Sequence, residues 1–120
     1  MREFLAITKA LSDESRVRAL LSIKDGELCL CQIIEVLGLS PATVSRHMNL
    51  LYQAGLVQRR KEGKWQFYRL ANGEGTALAQ RGLGFVLHGL EKDPAVRDDA
   101  RRIRKVRCQD LEELSECYRS

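Results

Sequence analysis

The segment from residue 30 to residue 51 limits the fold more than any other. Leu30, Ile33, Ile34 and Leu37 recur at i, i+3, i+4 and i+7, the spacing of a helix with one buried face, and Gly38 is suited to stop it. Leu39 alone separates that glycine from Ser40-Pro41, an N-cap followed by proline at the first helical position, where its missing N–H costs nothing. Val44, Met48 and Leu51 then repeat as a second buried face. Two helices joined by a turn of about three residues predict a helix-turn-helix, an arrangement that sets its second helix in the major groove when it meets DNA.

That second helix leaves Ala42, Arg46, Asn49 and Gln53 outward, with Ser40, Thr43 and Ser45 near its start. These residue types reach base edges or phosphates. A merely solvated polar face is the alternative. His47 is either a structural hydrogen-bonding residue or a phosphate contact. Gly55 ends the helix, and residues 56–61 and 64–70 read as two strands around a Glu62-Gly63 turn, in which Gly63 supplies a positive φ. Arg59, Arg60, Lys61 and Lys64 gather positive charge on this hairpin, which suits phosphate contact beside a groove or, more simply, solubility. Trp65 is also placed to pack on the hairpin base.

Upstream, Phe4, Ile7, Thr8 and Leu11 mark a short amphipathic helix whose apolar side needs a partner. Ser12, followed by Asp13 and Glu14, reads as the N-cap of a second helix that buries Val17, Leu20 and Leu21 and runs to about Lys24. Asp25-Gly26 breaks it. Cys29 then stands where a capping Ser or Thr is expected, with Gln32 three residues on as the return partner of a capping box. In the first turn of a helix the positive end of the dipole favours thiolate, and thiolates select soft metals and metalloids. Cysteine as a small buried hydrophobe is the alternative. At roughly 100° per residue, Cys29 and Cys31 point about 200° apart on a regular helix, so clasping one ion is expected to unwind that turn.

With 20 Lys plus Arg against 16 Asp plus Glu, the net charge of +4 permits nucleic-acid binding without requiring it. The 120 residues suit one domain, 1–120, divided into a DNA-binding and sensing core over 3–72 and C-terminal helices over 74–118. Four cysteines with no signal peptide or long apolar run lead us to expect a soluble cytoplasmic protein with reduced thiols and no membrane partner. Under those conditions metal binding is favoured over a disulfide framework. The spacing Cys-x-Cys and the missing βαβ unit argue against a thioredoxin-like role.

Residues 27–31 (Glu-Leu-Cys-Leu-Cys), the Thr43 to Met48 core, Gly63-Lys64-Trp65 and Tyr68-Arg69-Leu70 together resemble the ArsR family of metal-responsive repressors, specifically its arsenite-responsive branch. The likeness covers roughly residues 3 to 72. It implies a mainly α fold with a β-hairpin wing, a winged helix-turn-helix homodimer. Such a dimer would hold a double-stranded, pseudo-palindromic operator, with half-sites about one DNA turn apart, until As(III), or also Sb(III), binds the cysteine thiolates. No cofactor or catalysis is implied. Expected DNA contacts are Ser40, Ala42, Thr43, Ser45, Arg46, His47, Asn49, Gln53, Arg60, Lys61 and Lys64; expected metalloid ligands are Cys29 and Cys31. A Zn(II) or Cd(II) sensor with further ligands is the alternative of the same fold. A thiol enzyme or metalloid-buffering protein is the non-transcriptional one, although no general base is evident beside the pair.

Past Asn72-Gly73, Leu78, Gly82, Phe85, Val86 and Leu90 form an apolar stripe, and Asp93-Pro94 caps a last helix carrying Val96, Ala100, Ile103, Leu114 and Tyr118. By the resemblance these flanking helices serve dimerisation. The branch often carries a third cysteine where Ile34 stands here, which leaves hydroxide, Cys108 or Cys117 as candidates for the third ligand. On one continuous helix Cys108 and Cys117 would lie on opposite faces, Cys117 beside the apolar stripe and Cys108 amid Arg104, Lys105 and Arg107.

Overall fold

The computed structural model describes residues 1–116; Cys117 and Tyr118 lie outside them. In chain order the elements are α1 (Arg2–Ala10), α2 (Glu14–Ser22), β1 (Leu28–Cys29), α3 (Leu30–Leu37), α4 (Pro41–Gln53), β2 (Val57–Glu62), β3 (Trp65–Leu70), α5 (Ala77–Gly89), α6 (Pro94–Arg107) and α7 (Leu111–Glu116). α3 and α4 lie where the apolar spacing puts them. Gly38 closes α3 at φ +67°, a conformation only glycine adopts without strain, and the Ser40 hydroxyl accepts the Thr43 N–H at 3.2 Å to open α4. Ile33, Ile34 and Leu37 of α3 and Val44, Met48 and Leu51 of α4 join Leu20, Leu21 and Leu28 in one continuous core.

Four expectations shift. α2 is capped by Asp13, whose carboxylate accepts the Arg16 N–H at 3.0 Å, while the Ser12 hydroxyl donates to the Lys9 carbonyl at the end of α1. Both side chains are used at a helix end, and the stronger acceptor takes the cap. The hairpin register pairs Glu62 with Trp65, so the turn residues are Gly63 and Lys64, with Gly63 at φ +60°. Glycine at the first turn position is the pattern of a type II′ turn, which suits the strand twist.

A third strand is present as well. β1 pairs antiparallel with β3, Leu28 opposite Tyr68 and Cys29 opposite Phe67, giving the sheet order β1-β3-β2. Finally, the expected single C-terminal helix is two. α6 ends at Cys108, and the Asp110 carboxylate accepts the Glu112 N–H at 2.9 Å to start α7. Arg104, Lys105 and Arg107 crowd the last turn of α6, while Glu112 and Glu113 open α7, each sign matching its helix end.

α6 returns over α2 and α3 of the same chain. Arg18 of α2 grips Asp99 of α6 through two hydrogen bonds of 2.8 and 2.9 Å, and Asp99 is buried. α5 buries Ala79, Leu83 and Val86, leaving Phe85 exposed, and a β-carbon on Gly82 would sit 3.1 Å from Ile7 of α1. Phe4 and Leu5 of α1 are exposed too. No described helix is long and apolar enough to cross a membrane.

Candidate functional site

The cysteine pair sits at the junction of sheet and helix. Cys29 has φ −71° and ψ 151°, an extended residue that ends β1 and caps α3, and Gln32 returns its side-chain oxygen to the Cys29 N–H at 2.8 Å. Because Cys29 is outside the helix, the 100° rotation per residue does not apply to it. Its sulfur comes within 3.2 Å of that of Cys31 with α3 intact. The expectation that the two sulfurs meet only if the first turn unwinds is therefore incorrect.

Both cysteines are buried and free of disulfides. The Cys31 S–H donates to the Cys29 sulfur, the largest influence drawing the Cys29 thiol down to about 7; burial opposes it, and the N–H groups of Cys31, Gln66 and Leu30 assist. The same hydrogen bond, with burial and the neighbouring charge, pushes Cys31 up. Near neutral pH the Cys29 sulfur is thus partly ionised, with the Cys31 thiol as its hydrogen-bond donor.

An apolar cluster surrounds the sulfurs. Leu114 of α7 is buried on them, and Trp65, Phe67 and Leu111 pack against the same cluster. A recess of about 210 Å³ opens beside the pair, with Ile34, Trp65, Gln66, Lys64 and Ser115 in its wall. Two sulfurs held this close, partly ionised and enclosed by apolar groups suit a thiophilic ligand. Among the described residues no three His, Cys, Asp or Glu side chains converge as a metal cluster. Cys108 is exposed at the end of α6 and lines a different cavity, with Glu35 and Asp110. Cys117 lies outside the described residues.

The residues expected to meet DNA fall into two groups. On α4, Ser40, Ala42, Ser45, Arg46, Asn49 and Gln53 are exposed, and Thr43 is half-buried with its hydroxyl accepting from Ser40 at 2.8 Å. His47 turns inward: an Arg16 N–H lies 3.4 Å from its Nδ1, which therefore accepts, while other Arg16 donors reach the Ala10 and Lys9 carbonyls at the end of α1. Burial, then the charges of Arg16 and Arg46, hold His47 below its ordinary value against the opposing pull of Asp13.

The hairpin cations are engaged differently. Arg60 bonds Glu27 at 2.7 Å and Glu62 at 3.0 Å and lies over the Phe67 ring; Lys64 bonds Glu112 of α7 at 2.7 Å; Arg59 lies 3.8 Å from the Tyr52 ring centre; Lys61 is exposed. The sequence reading missed Glu27, Glu112 and Leu114 as parts of the site. A carboxylate beside Leu28 and the change from basic to acidic residues after Arg107 were the available signals.

A two-helix reading unit, a flanking hairpin and a helical frame define a winged helix-turn-helix protein, the fold of DNA-binding regulators. Residues 13–59 match the family described as bacterial regulatory protein, arsR family. The chain is 42% identical over 74 residues to the arsenic resistance transcriptional regulator ArsR1 of Pseudomonas putida, covering 58% of each chain. It is 42% identical over 67 residues to an uncharacterized HTH-type transcriptional regulator of Methanocaldococcus jannaschii, covering 55% of this chain and 75% of that one. Over 65 residues it is 43% identical to a cadmium resistance transcriptional regulatory protein CadC homolog of Staphylococcus aureus, covering 53% of this chain and 54% of that one. Among solved structures, a homodimeric winged helix-turn-helix DNA-binding domain from Mycobacterium bovis superposes with a TM-score of 0.62 at 28% identity, covering 78% of this chain and 82% of that one. The chain belongs to the arsR family of bacterial regulatory proteins.

Proposed function

We propose that this chain is a homodimeric transcriptional repressor that holds a double-stranded operator in the cytoplasm and leaves it when As(III), or Sb(III), binds Cys29 and Cys31. The observation that carries the reading is the buried sulfur pair, 3.2 Å apart, at the hinge between the DNA-reading helices and the wing sheet. Exposed Phe4, Leu5 and Phe85 on α1 and α5 form an apolar surface suited to a second copy, which would set two α4 helices on one operator. Kinship with an arsenic resistance regulator and likeness to a homodimeric domain support both parts.

The coupling follows from the connections of Cys29. Its strand is hydrogen-bonded to β3 of the wing, and α3, which it caps, packs on α4 through Ile33 and Leu37. A ligand that draws both sulfurs toward itself moves the cap and the strand together, so one binding event acts on helix and wing. A coupling of about 1–3 kcal/mol, or roughly 5- to 150-fold in affinity, is usual for such linkage. The cadmium-regulator relative raises Cd(II) as an alternative, beside the Zn(II) that the same cysteines could take, but a tetrahedral ion needs four donors, and the described residues gather only the pair. A trivalent metalloid with one non-protein ligand needs no more.

The test is a titration of the operator complex with arsenite, zinc and cadmium in parallel, followed by fluorescence anisotropy of the labelled DNA. Release by arsenite at the lowest concentration is expected. Release by cadmium or zinc with no response to arsenite would overturn the inducer assignment.

A further inference from the structure

We infer that the indole N–H of Trp65 is the donor that holds the third, oxygen ligand of trivalent arsenic at Cys29 and Cys31, so that the site takes the metalloid as a two-sulfur, one-oxygen species. This rests on the metalloid reading above and adds to it a positioning residue and the composition of the bound species. Arsenous acid has three hydroxyl groups. Two exchange with the thiols, each As–O bond giving way to As–S while the thiol proton leaves with the hydroxyl as water, and one hydroxyl stays on arsenic without any change of oxidation state. That oxygen enters an apolar surrounding and requires a hydrogen-bond donor.

The recess wall has few to offer. Lys64 Nζ is drawn out to the Glu112 carboxylate at 2.7 Å in an exposed ion pair, the Ser115 hydroxyl donates to the Glu112 carbonyl at 3.1 Å, and Gln66 Nε2 donates to the Arg60 carbonyl at 3.2 Å. Trp65 Nε1 is different: it is buried and has no protein acceptor, the one buried side-chain polar atom so left among the described residues. Trp65 lies in the wall of the recess and in the same apolar cluster as both cysteines. A buried N–H without an acceptor is a standing cost to the fold, which a ligand oxygen would remove. Ile34, where the branch often has a third cysteine, is also in that wall and supplies no sulfur.

The experiment compares arsenite with methylarsonous acid, whose methyl group replaces the remaining oxygen once both thiols have reacted, by calorimetric titration of the wild-type chain and Trp65→Phe. Phenylalanine keeps an aromatic face and removes the donor. Arsenite affinity is expected to fall about five- to tenfold in the variant while methylarsonous acid affinity holds. X-ray absorption on arsenite-loaded wild type should show two sulfurs and one oxygen, and arsenite should perturb the emission of this tryptophan, the only one in the chain. Equal loss of both arsenicals would mean that Trp65 merely shapes the recess, and no loss of either would exclude it; both outcomes overturn the inference, as would three sulfurs on arsenic. Failure of both arsenicals to bind the wild type would instead remove the metalloid reading itself, and this inference with it.

Discussion

Helix α4 and the hairpin both present cations, but they hold them in opposite ways. Arg46 of α4 is exposed and makes no hydrogen bond or ion pair among the described residues, whereas Arg60 and Lys64 of the hairpin are already bound to carboxylates. Those carboxylates are placed informatively. Glu27 precedes the cysteine strand, and Glu112 stands on α7, whose Leu114 covers the sulfurs. Arg46 of α4 is therefore unengaged, while the wing is tied at two points to the segments around the cysteine pair. Each tie is an exposed ion pair of small individual strength, so phosphate can compete for either cation. On the proposed function, DNA and the sensor would draw on the same two side chains.

The largest effect is expected where this comparison is cut at its source. Cys29→Ser or Cys31→Ser should leave operator binding within about twofold of wild type and abolish release by arsenite, because serine satisfies a cap or a first turn but offers no soft donor. Cys29→Ser should also match or exceed wild-type thermal stability, since hydroxyl caps better than sulfur. Anisotropy titrations with and without arsenite, beside a melting curve, check both halves, and full induction of either variant would refute the sensing role. Next in size, Arg46→Ala should lower operator affinity by about 1–3 kcal/mol with arsenite binding intact. If the loss falls on one base pair, Arg46 reads a base; if it is equal for all sequences, it holds phosphate.

Much of this contrast was readable in advance. Gly38, Ser40-Pro41 and the two apolar repeats suffice for α3 and α4, because caps and 3.6-residue periodicity are local properties. What escaped was non-local. β1 is two residues long and owes its existence to β3, some forty positions away, so no alternation could announce it. The convergence of the sulfurs escaped for a related reason: Cys29 was placed correctly at the cap, yet given the rotation of a helical residue. The end of α6 is written in the exchange of basic for acidic residues after Arg107, a signal that apolar spacing alone does not register. The partners of Arg60 and Lys64 come from remote elements, and composition alone would have left both cations to DNA.

A smaller effect sharpens the wing side. Glu27→Gln keeps the shape at residue 27 and removes the charge that holds Arg60 at 2.7 Å. With its competitor gone, Arg60 should contact phosphate more fully, raising the salt dependence of operator binding by about one counterion and the affinity at low salt. Thermal stability should change by no more than about 1 kcal/mol, as for an exposed pair. A salt slope identical to wild type would mean that Arg60 serves the sensor alone.

The smallest expected effect concerns the α4 side, at His47, which turns inward toward Arg16. Burial and the Arg16 and Arg46 charges hold His47 below its unfolded value of about 6.5, so between the two values the unfolded chain binds the extra proton and the native chain does not. Stability must then fall as pH drops through 6.5, with the loss complete once pH passes below the native value. Half-burial keeps the loss small. His47→Gln retains an acceptor for Arg16 but cannot titrate, so its denaturation midpoint should fall less than that of wild type between pH 7 and 5.5. That window lies above the titration of Asp13, whose cap contributes equally to both proteins throughout. Equal slopes for the two proteins would mean that His47 is not held neutral by the fold, and would return it to the set of side chains free to meet phosphate.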